Sequence, residues 1–298
     1  MIHLTLSGMA LASLSDCGDG QPFPEVAAPL PGTEAPSTNA GIFRYENSGL
    51  VTDVSYNAAN YTFTVDNLGF DGASTYQSAD VPLLNLGTTR VFAADAVVND
   101  PLTGEPISQI NPYRALYGDS RNQVDGEART SFAIVRNPSY GSGGFVYERN
   151  GGVVIPTTGQ AKLTGQYAGV CVSDNPNYLE YTTGNMSMDI EFEGFNANDA
   201  NDANDAVKGR ITDRRATIEN GDAVTMLPNV ERIIGLSSAL TENGEITSDV
   251  YSTDETGTFN GILAGDTTKS QGGEIVGIIT LNSNDSTVWE TGGAILYR

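Results

Sequence analysis

The stretch Ser187-Met188-Asp189-Ile190-Glu191-Phe192-Glu193-Gly194-Phe195 decides the fold. With Met186 ahead of it, Met188, Ile190 and Phe192 fall on one face of an extended chain, and Asp189, Glu191 and Glu193 on the other. That is the period-two signature of a strand with one buried side. Similar runs recur roughly every 10–20 residues through the second half, a spacing typical of barrels and sandwiches. They are KLTGQYAGVCV (162–172), AVKGRITDRRAT (206–217), NVERIIGLSSAL (229–240), EITSDVYS (245–252), GTFNGILAG (257–265), GEIVGIITL (273–281) and TGGAILYR (291–298). With the first stretch, eight strands are predicted. Gly165, Gly169, Gly209, Gly261 and Gly277 lie inside them, where they would weaken a flat sheet but suit the bends and close backbone approach of a small coiled barrel.

The first half is also β-rich, with less regular alternation. GLVTDVSYN, YTFTVDNLGF, TTRVFAADAV, YRALYG, ARTSFAIV and GGFVYER carry β-branched or aromatic residues between Asp, Asn and Gly clusters. No segment of ten or more residues has a 3.6-residue apolar period, and only an isolated turn of helix is expected, around Ala93–Val98. The proline and glycine of Val154-Ile155-Pro156-Thr157-Thr158-Gly159 bracket a polar link, read as the boundary between two units. The expected class is all-β, with a β-rich domain over 41–155 and a soluble eight-stranded antiparallel β-barrel over 156–298.

Composition narrows the chemistry. The 298 residues hold 15 Lys plus Arg against 37 Asp plus Glu, a net charge of −22, which argues against nucleic acid or an anionic membrane surface as partner. The single histidine, His3, lies in the segment read below as a signal peptide, a reading that leaves the mature chain no imidazole base and no His-ligated metal. There is no SxxK or GxSxG motif, and no spacing singles out a carboxylate pair. The expectation is a non-enzyme with no cofactor, no resident metal and no catalytic residue.

At the N-terminus, LTLSGMALASL (4–14) is too short to span a bilayer and has the length of a signal-peptide apolar core. Leu14 stands three places before Cys17, which resembles the bacterial lipobox, the signal whose cysteine becomes the first mature residue and carries the lipid anchor. Asp16 occupies the place where that signal normally has Gly, Ala or Ser, and no Lys or Arg precedes the apolar run. Residues 1–16 are read as a lipoprotein-type signal peptide and 17–40, rich in Pro, Ala and Ser, as a flexible tether. The resemblance makes Cys17 the lipid-anchor residue and the membrane a partner through that anchor. The other cysteine, Cys171, either pairs with Cys17 or stands alone; acylation of Cys17 leaves it a free, buried hydrophobe.

Asn198–Ala206 repeats Asn-Asp-Ala three times. Alternating carboxylate and amide oxygens suit calcium, but there is no Gly at the turn and no closing acid. A solvated hairpin tip is the preferred reading.

Thr158-Gly159-Gln160-Ala161-Lys162-Leu163-Thr164-Gly165-Gln166-Tyr167-Ala168-Gly169 resembles the opening barrel strand of the transferrin-binding protein B-like lobe, where an aromatic lies between spaced glycines. Thr256-Gly257-Thr258-Phe259-Asn260-Gly261-Ile262-Leu263-Ala264-Gly265, followed by Gly273-Glu274-Ile275-Val276-Gly277-Ile278-Ile279, resembles that family's penultimate strand pair. Asp189-Ile190-Glu191-Phe192 before Lys208-Gly209-Arg210-Ile211 is similar to its acidic-aromatic strand and the glycine strand after it. The resemblance covers about 156–298, and the first half only by position, as the family's handle domain. The loop 266–272 lacks the family's proline-asparagine element.

The resemblance implies a handle-plus-barrel lobe, lipid-anchored at the bacterial outer membrane and facing the cell exterior. It would bind an extracellular protein or small ligand, with an iron carrier or haem as the cargo type. No ligand-binding residue carries over. The alternatives are a structural or adhesive surface lipoprotein and an integral outer-membrane β-barrel.

Overall fold

The computed structural model describes residues 42–47, 51–57, 59–67, 73–79, 86–94, 97–100, 102–108, 112–136, 143–173, 179–192, 207–218, 224–234, 240–241 and 243–298. The described residues are all-β, without helix. The first-half strands are β1 (Ile42–Asn47), β2 (Val51–Asn57), β3 (Thr62–Asn67), β4 (Ala73–Ala79) and β5 (Arg90–Ala93), then β6 (Val97–Asn99), β7 (Pro106–Ser108) and β8 (Arg114–Asp119). They are followed by β9 (Gln123–Val124), β10 (Glu127–Ala128), β11 (Thr130–Arg136) and β12 (Gly143–Asn150). Eight of them form one antiparallel sheet in the order β1-β12-β11-β8-β5-β4-β3-β2, while β6–β7 and β9–β10 are separate hairpins. Where a helical turn is expected, Ala93 ends one strand and Val97 begins another. Strand β4, ASTYQSA, shows no apolar alternation; pairing with β3 and β5, rather than its own pattern, makes it a strand.

After β13 (Val153–Val154), all eight predicted second-half strands form: β14 (Gln160–Ser173), β15 (Leu179–Glu191), β16 (Val207–Ile218), β18 (Val230–Ile234), β19 (Glu245–Ser252), β20 (Glu255–Asp266), β21 (Gly273–Ser283) and β22 (Val288–Tyr297). A short β17 (Val224–Met226) adds to the edge of β16. Each barrel strand pairs antiparallel with the next, and β22 returns to β14, closing the barrel. Inward residues make a continuous apolar core that includes Leu163, Met188, Ile211, Phe259 and Ile275. Val153 and Ile155 are buried in that core, and β13 runs parallel to the end of β20.

Several strand glycines make room for aromatic rings. A Cβ at Gly292 would run into the Tyr167 ring, and one at Gly261 or Gly277 into Phe259. One at Gly165 would strike the Ile295 carbonyl across the β14–β22 pair.

Sheet and barrel share a second core. Leu116, Phe132, Ile134 and Phe145 on one sheet face pack with Ala168, Val170, Ile278 and Ile295 on the barrel's outer face. The other face of the sheet curls round a third core that includes Phe63, Tyr76 and Phe92, with Tyr56 and Tyr117 against it. At one end of the shared surface the fully buried Glu274 carboxylate accepts from Ser120 Oγ (2.9 Å), Asn122 Nδ2 (2.5 Å) and Thr130 Oγ1 (2.8 Å). The Arg129 guanidinium donates to the Gly272 carbonyl (3.0 Å), and Arg149 to those of Asn243 and Leu263 (2.9 Å each). At the other end Arg136 donates to Thr291 Oγ1. The strands of the two units therefore run alongside each other and share the same two poles.

Candidate functional site

The poles differ in chemistry. Ile42 lies opposite Asn150, whose N–H bonds the Arg129 carbonyl, and the Arg298 N–H bonds the Gly273 carbonyl. This near pole therefore carries both the entry to β1 and the chain's last residue. At the far pole the barrel interior turns polar. Glu290, almost fully buried, accepts from Tyr167 Oη (2.6 Å), Thr182 Oγ1 (2.8 Å) and Arg214 Nη2 (2.7 Å). Arg214, also buried, holds Glu255 through two further bonds (2.6 and 3.2 Å) and donates to the Pro228 carbonyl (2.7 Å).

Arg214 faces inward because of a bulge. Val207, Gly209 and Ile211 set an odd-numbered inward phase, on which Arg214 would point outward. One extra residue on β16, between the pairs Asn185–Thr212 and Thr183–Arg215, reverses that phase. Asp213 sits there at φ +53°, its carboxylate taking a bond from Asn185 Nδ2 (3.0 Å). The alternation in AVKGRITDRRAT gave no sign of this shift; the Asp within it is the only local cue, since Asp tolerates positive φ.

Burial opposes the charge on Arg214, but Glu290 and then Glu255 more than offset it, and the guanidinium is held above its ordinary pKa. Burial, reinforced by Glu290, drives the Tyr167 hydroxyl well above the usual phenol value. The same two causes raise the Cys171 thiol well above an ordinary thiol. Cys171 is a free, buried thiol.

Exposed apolar side chains mark this pole. Among the described residues the large ones are Tyr61, Val97, Leu102, Ile107, Val224, Met226, Tyr251 and Trp289. Tyr251 and Trp289 are joined across the barrel by the paired row Tyr251–Thr256–Asn282–Trp289. Val224 and Met226 belong to β17, beside the last residues of β16. The row Thr62–Gln77–Ala93–Arg114–Arg136 crosses the sheet at its Thr291 end. The β6–β7 hairpin leaves that row between Ala93 and Arg114, whereas Tyr61, on the β2–β3 turn, stands before Thr62 on the side of the row that Ser78, Phe92 and Ala115 occupy, toward the near pole. Seven of the eight side chains, all but Tyr61, therefore lie toward the far pole, on both units.

Cys17, the segments 1–16 and 17–40 expected to be signal peptide and tether, His3 and the Asn-Asp-Ala repeat lie outside the described residues. The sequence reading named no ligand-binding residue; the far-pole cluster becomes visible only once strand order brings its members together.

No family model matches the chain, and no curated protein is similar to it in sequence. It is similar in structure to a doubly substituted Transferrin Binding Protein B, a vaccine antigen from Haemophilus parasuis Hp5, with 12% identity and a TM-score of 0.40 over 86% of this chain and 44% of that one. A singly substituted form of that antigen gives 10%, 0.36, 82% and 65%. The intact Ap-TbpB, with N and C lobes, gives 12%, 0.38, 87% and 46%. This chain thus spans about half the length of the first and third of these proteins.

Proposed function

We propose that this chain is a non-catalytic binding protein of the bacterial cell surface. In this reading it is held to the outer membrane by a lipid on Cys17, through a tether over 17–40, and presents its far pole to an extracellular protein. The observation that carries the proposal is the polarity of the molecule. The chain enters β1 at one pole, while seven of the eight exposed large apolar side chains of the described residues, all but Tyr61, lie toward the other. A tether at the near pole aims the apolar pole away from the membrane. Loops and strand ends on a rigid scaffold are the usual place for binding residues, and exposed Trp, Tyr and Met are frequent contact residues. The barrel itself supports a water-facing role. Its interior is packed with apolar side chains, and its uncovered outer positions include Lys162, Arg210 and Arg215, the reverse of a lipid-facing barrel.

The test uses the full-length protein in the cells that make it. Cys17→Ser should abolish acyl labelling and membrane retention; unchanged retention refutes the anchor. Met226→Ser with Trp289→Ser should weaken saturable partner binding about tenfold or more, as hot-spot truncations do, without changing the circular dichroism spectrum. A partner held equally well by the double variant refutes the binding pole.

A further inference from the structure

The side chains described on the two strands of the β6–β7 hairpin are all exposed. Pro106, Ile107 and Ser108 are all exposed, as are Val97 and Asn99, and among the described residues the two strands pair only with each other. A two-residue-wide ribbon of this kind is marginal in water, and solvated tips are ordinarily Gly, Asn, Asp or Ser. This tip carries Leu102, 90% exposed.

The tip is nevertheless built. Asp100 Oδ1 accepts from the N–H groups of Leu102 (2.7 Å) and Thr103 (3.1 Å). The Gly104 N–H donates to the Asp100 carbonyl (2.7 Å), and the Asp100 N–H to the Glu105 carbonyl (2.8 Å). Glu105 N–H reaches Thr103 Oγ1 (3.3 Å), and Gly104 takes φ +75°, which a side chain would strain. These bonds fix the backbone that holds Leu102 out.

The pairs Val97–Ser108 and Val98–Ile107 place Val97 and Ile107 on opposite faces. A ribbon apolar at its apex and on both faces is shaped to enter a cleft rather than to lie on a flat surface. Its charge narrows the occupant. Between Val91 and Tyr113 the chain has Asp95, Asp100 and Glu105 and no Lys or Arg. A second copy, at −22, and an anionic lipid surface would both repel it.

We infer that the β6–β7 hairpin is a preorganised docking finger that inserts Leu102 into an apolar cleft, rimmed by Lys or Arg, on a protein partner. This inference rests on the far pole being the binding face and names the element of that face that makes the central contact. A tip already held in its bound shape loses little conformational freedom on association.

The test places a photo-crosslinking amino acid at position 102 of the full-length chain in the cells that make it. The expected product joins position 102 to one protein, at a peptide lining an apolar site with Lys or Arg beside it. That protein, purified, should bind Leu102→Ser about tenfold more weakly than wild type, and binding should weaken as salt rises. Asp100→Ala, which leaves Leu102 but frees the tip, should also weaken it. Crosslinks only to lipid or to a second copy, or none, overturn the finger. Equal affinity for wild type and Leu102→Ser overturns it as well. If the Met226/Trp289 double variant then loses binding, the far-pole reading stands without the finger; if it does not, both fall.

Discussion

The ring of Phe132, from the sheet, lies against Gly293 of the barrel strand β22, in the space a Cβ at position 293 would occupy. Phe132 also covers Gly118 of its own sheet. One aromatic side chain thus fills two glycine notches on facing elements and joins the units within their shared core.

Gly293→Ala should therefore destabilise the whole chain. Neither the ring nor the two backbones can yield without disturbing neighbours, and overpacking of this kind costs about 1–3 kcal/mol. Urea unfolding should show a lower midpoint with an unchanged slope. Gly104→Ala, with nothing near its Cβ, strains only the exposed hairpin tip through its φ of +75° and should lower the midpoint less.

Arg214→Met should cost about 3–5 kcal/mol, because Glu290 would be left charged and buried beside two remaining donors. Replacing Arg214, Glu255 and Glu290 together with apolar residues of similar volume should recover much of that loss, since well-packed replacements of a buried ion network are often neutral. Thermal unfolding of the two variants checks this. A triple variant no more stable than the single one would show that the network's value lies in its geometry rather than its charge balance.

Alkaline titration has a defined sign. Burial raises Tyr167, with Glu290 adding to it, and burial with Asp119 and Glu148 raises Tyr117. Both stay protonated in the folded chain at pH values where the unfolded chain ionises, so their stabilising contribution is complete below about pH 10 and is lost above it, with a slope of about 1.4 kcal/mol per pH unit for each tyrosine. Arg149 acts oppositely: burial lowers it to about 10, so the folded chain sheds that proton first and gains stability over the same range. Phenolate absorbance of the native protein should show at least two of the 13 tyrosines silent until unfolding. Arg149→Met should steepen the alkaline loss of stability.

Cys171 should resist thiol reagents in the native state. It is buried, and the same burial suppresses the thiolate. Labelling should follow the rate of unfolding and become immediate in denaturant. Rapid labelling of the folded chain would mean that the far end of the barrel opens.

Glu274→Ala should leave Ser120, Asn122 and Thr130 without their shared acceptor at the junction of sheet and barrel, at about 1–3 kcal/mol for each buried group left unsatisfied. Hydrogen exchange should quicken first in β8 and β11, which face that junction, and least in β15 and β16 on the barrel.

Local sequence was sufficient for the class and for the barrel. Met186, Met188, Ile190 and Phe192 must share a face because side chains on a strand alternate, and eight such runs leave an antiparallel closure as the economical way to bury them. The glycines could be read as points of close approach, although not which ring each would meet. Tertiary structure decided what alternation cannot express. Strand β4 forms because its neighbours supply hydrogen-bond partners, and Arg214 turns inward because one extra residue in β16 reverses the phase that Ile211 set. Leu102, Met226 and Trp289 are far apart in sequence and share a pole only because strand order, the alignment of sheet on barrel and the Arg136–Thr291 contact put them there. Periodicity is a property of neighbours along the chain; a surface is a property of neighbours in space.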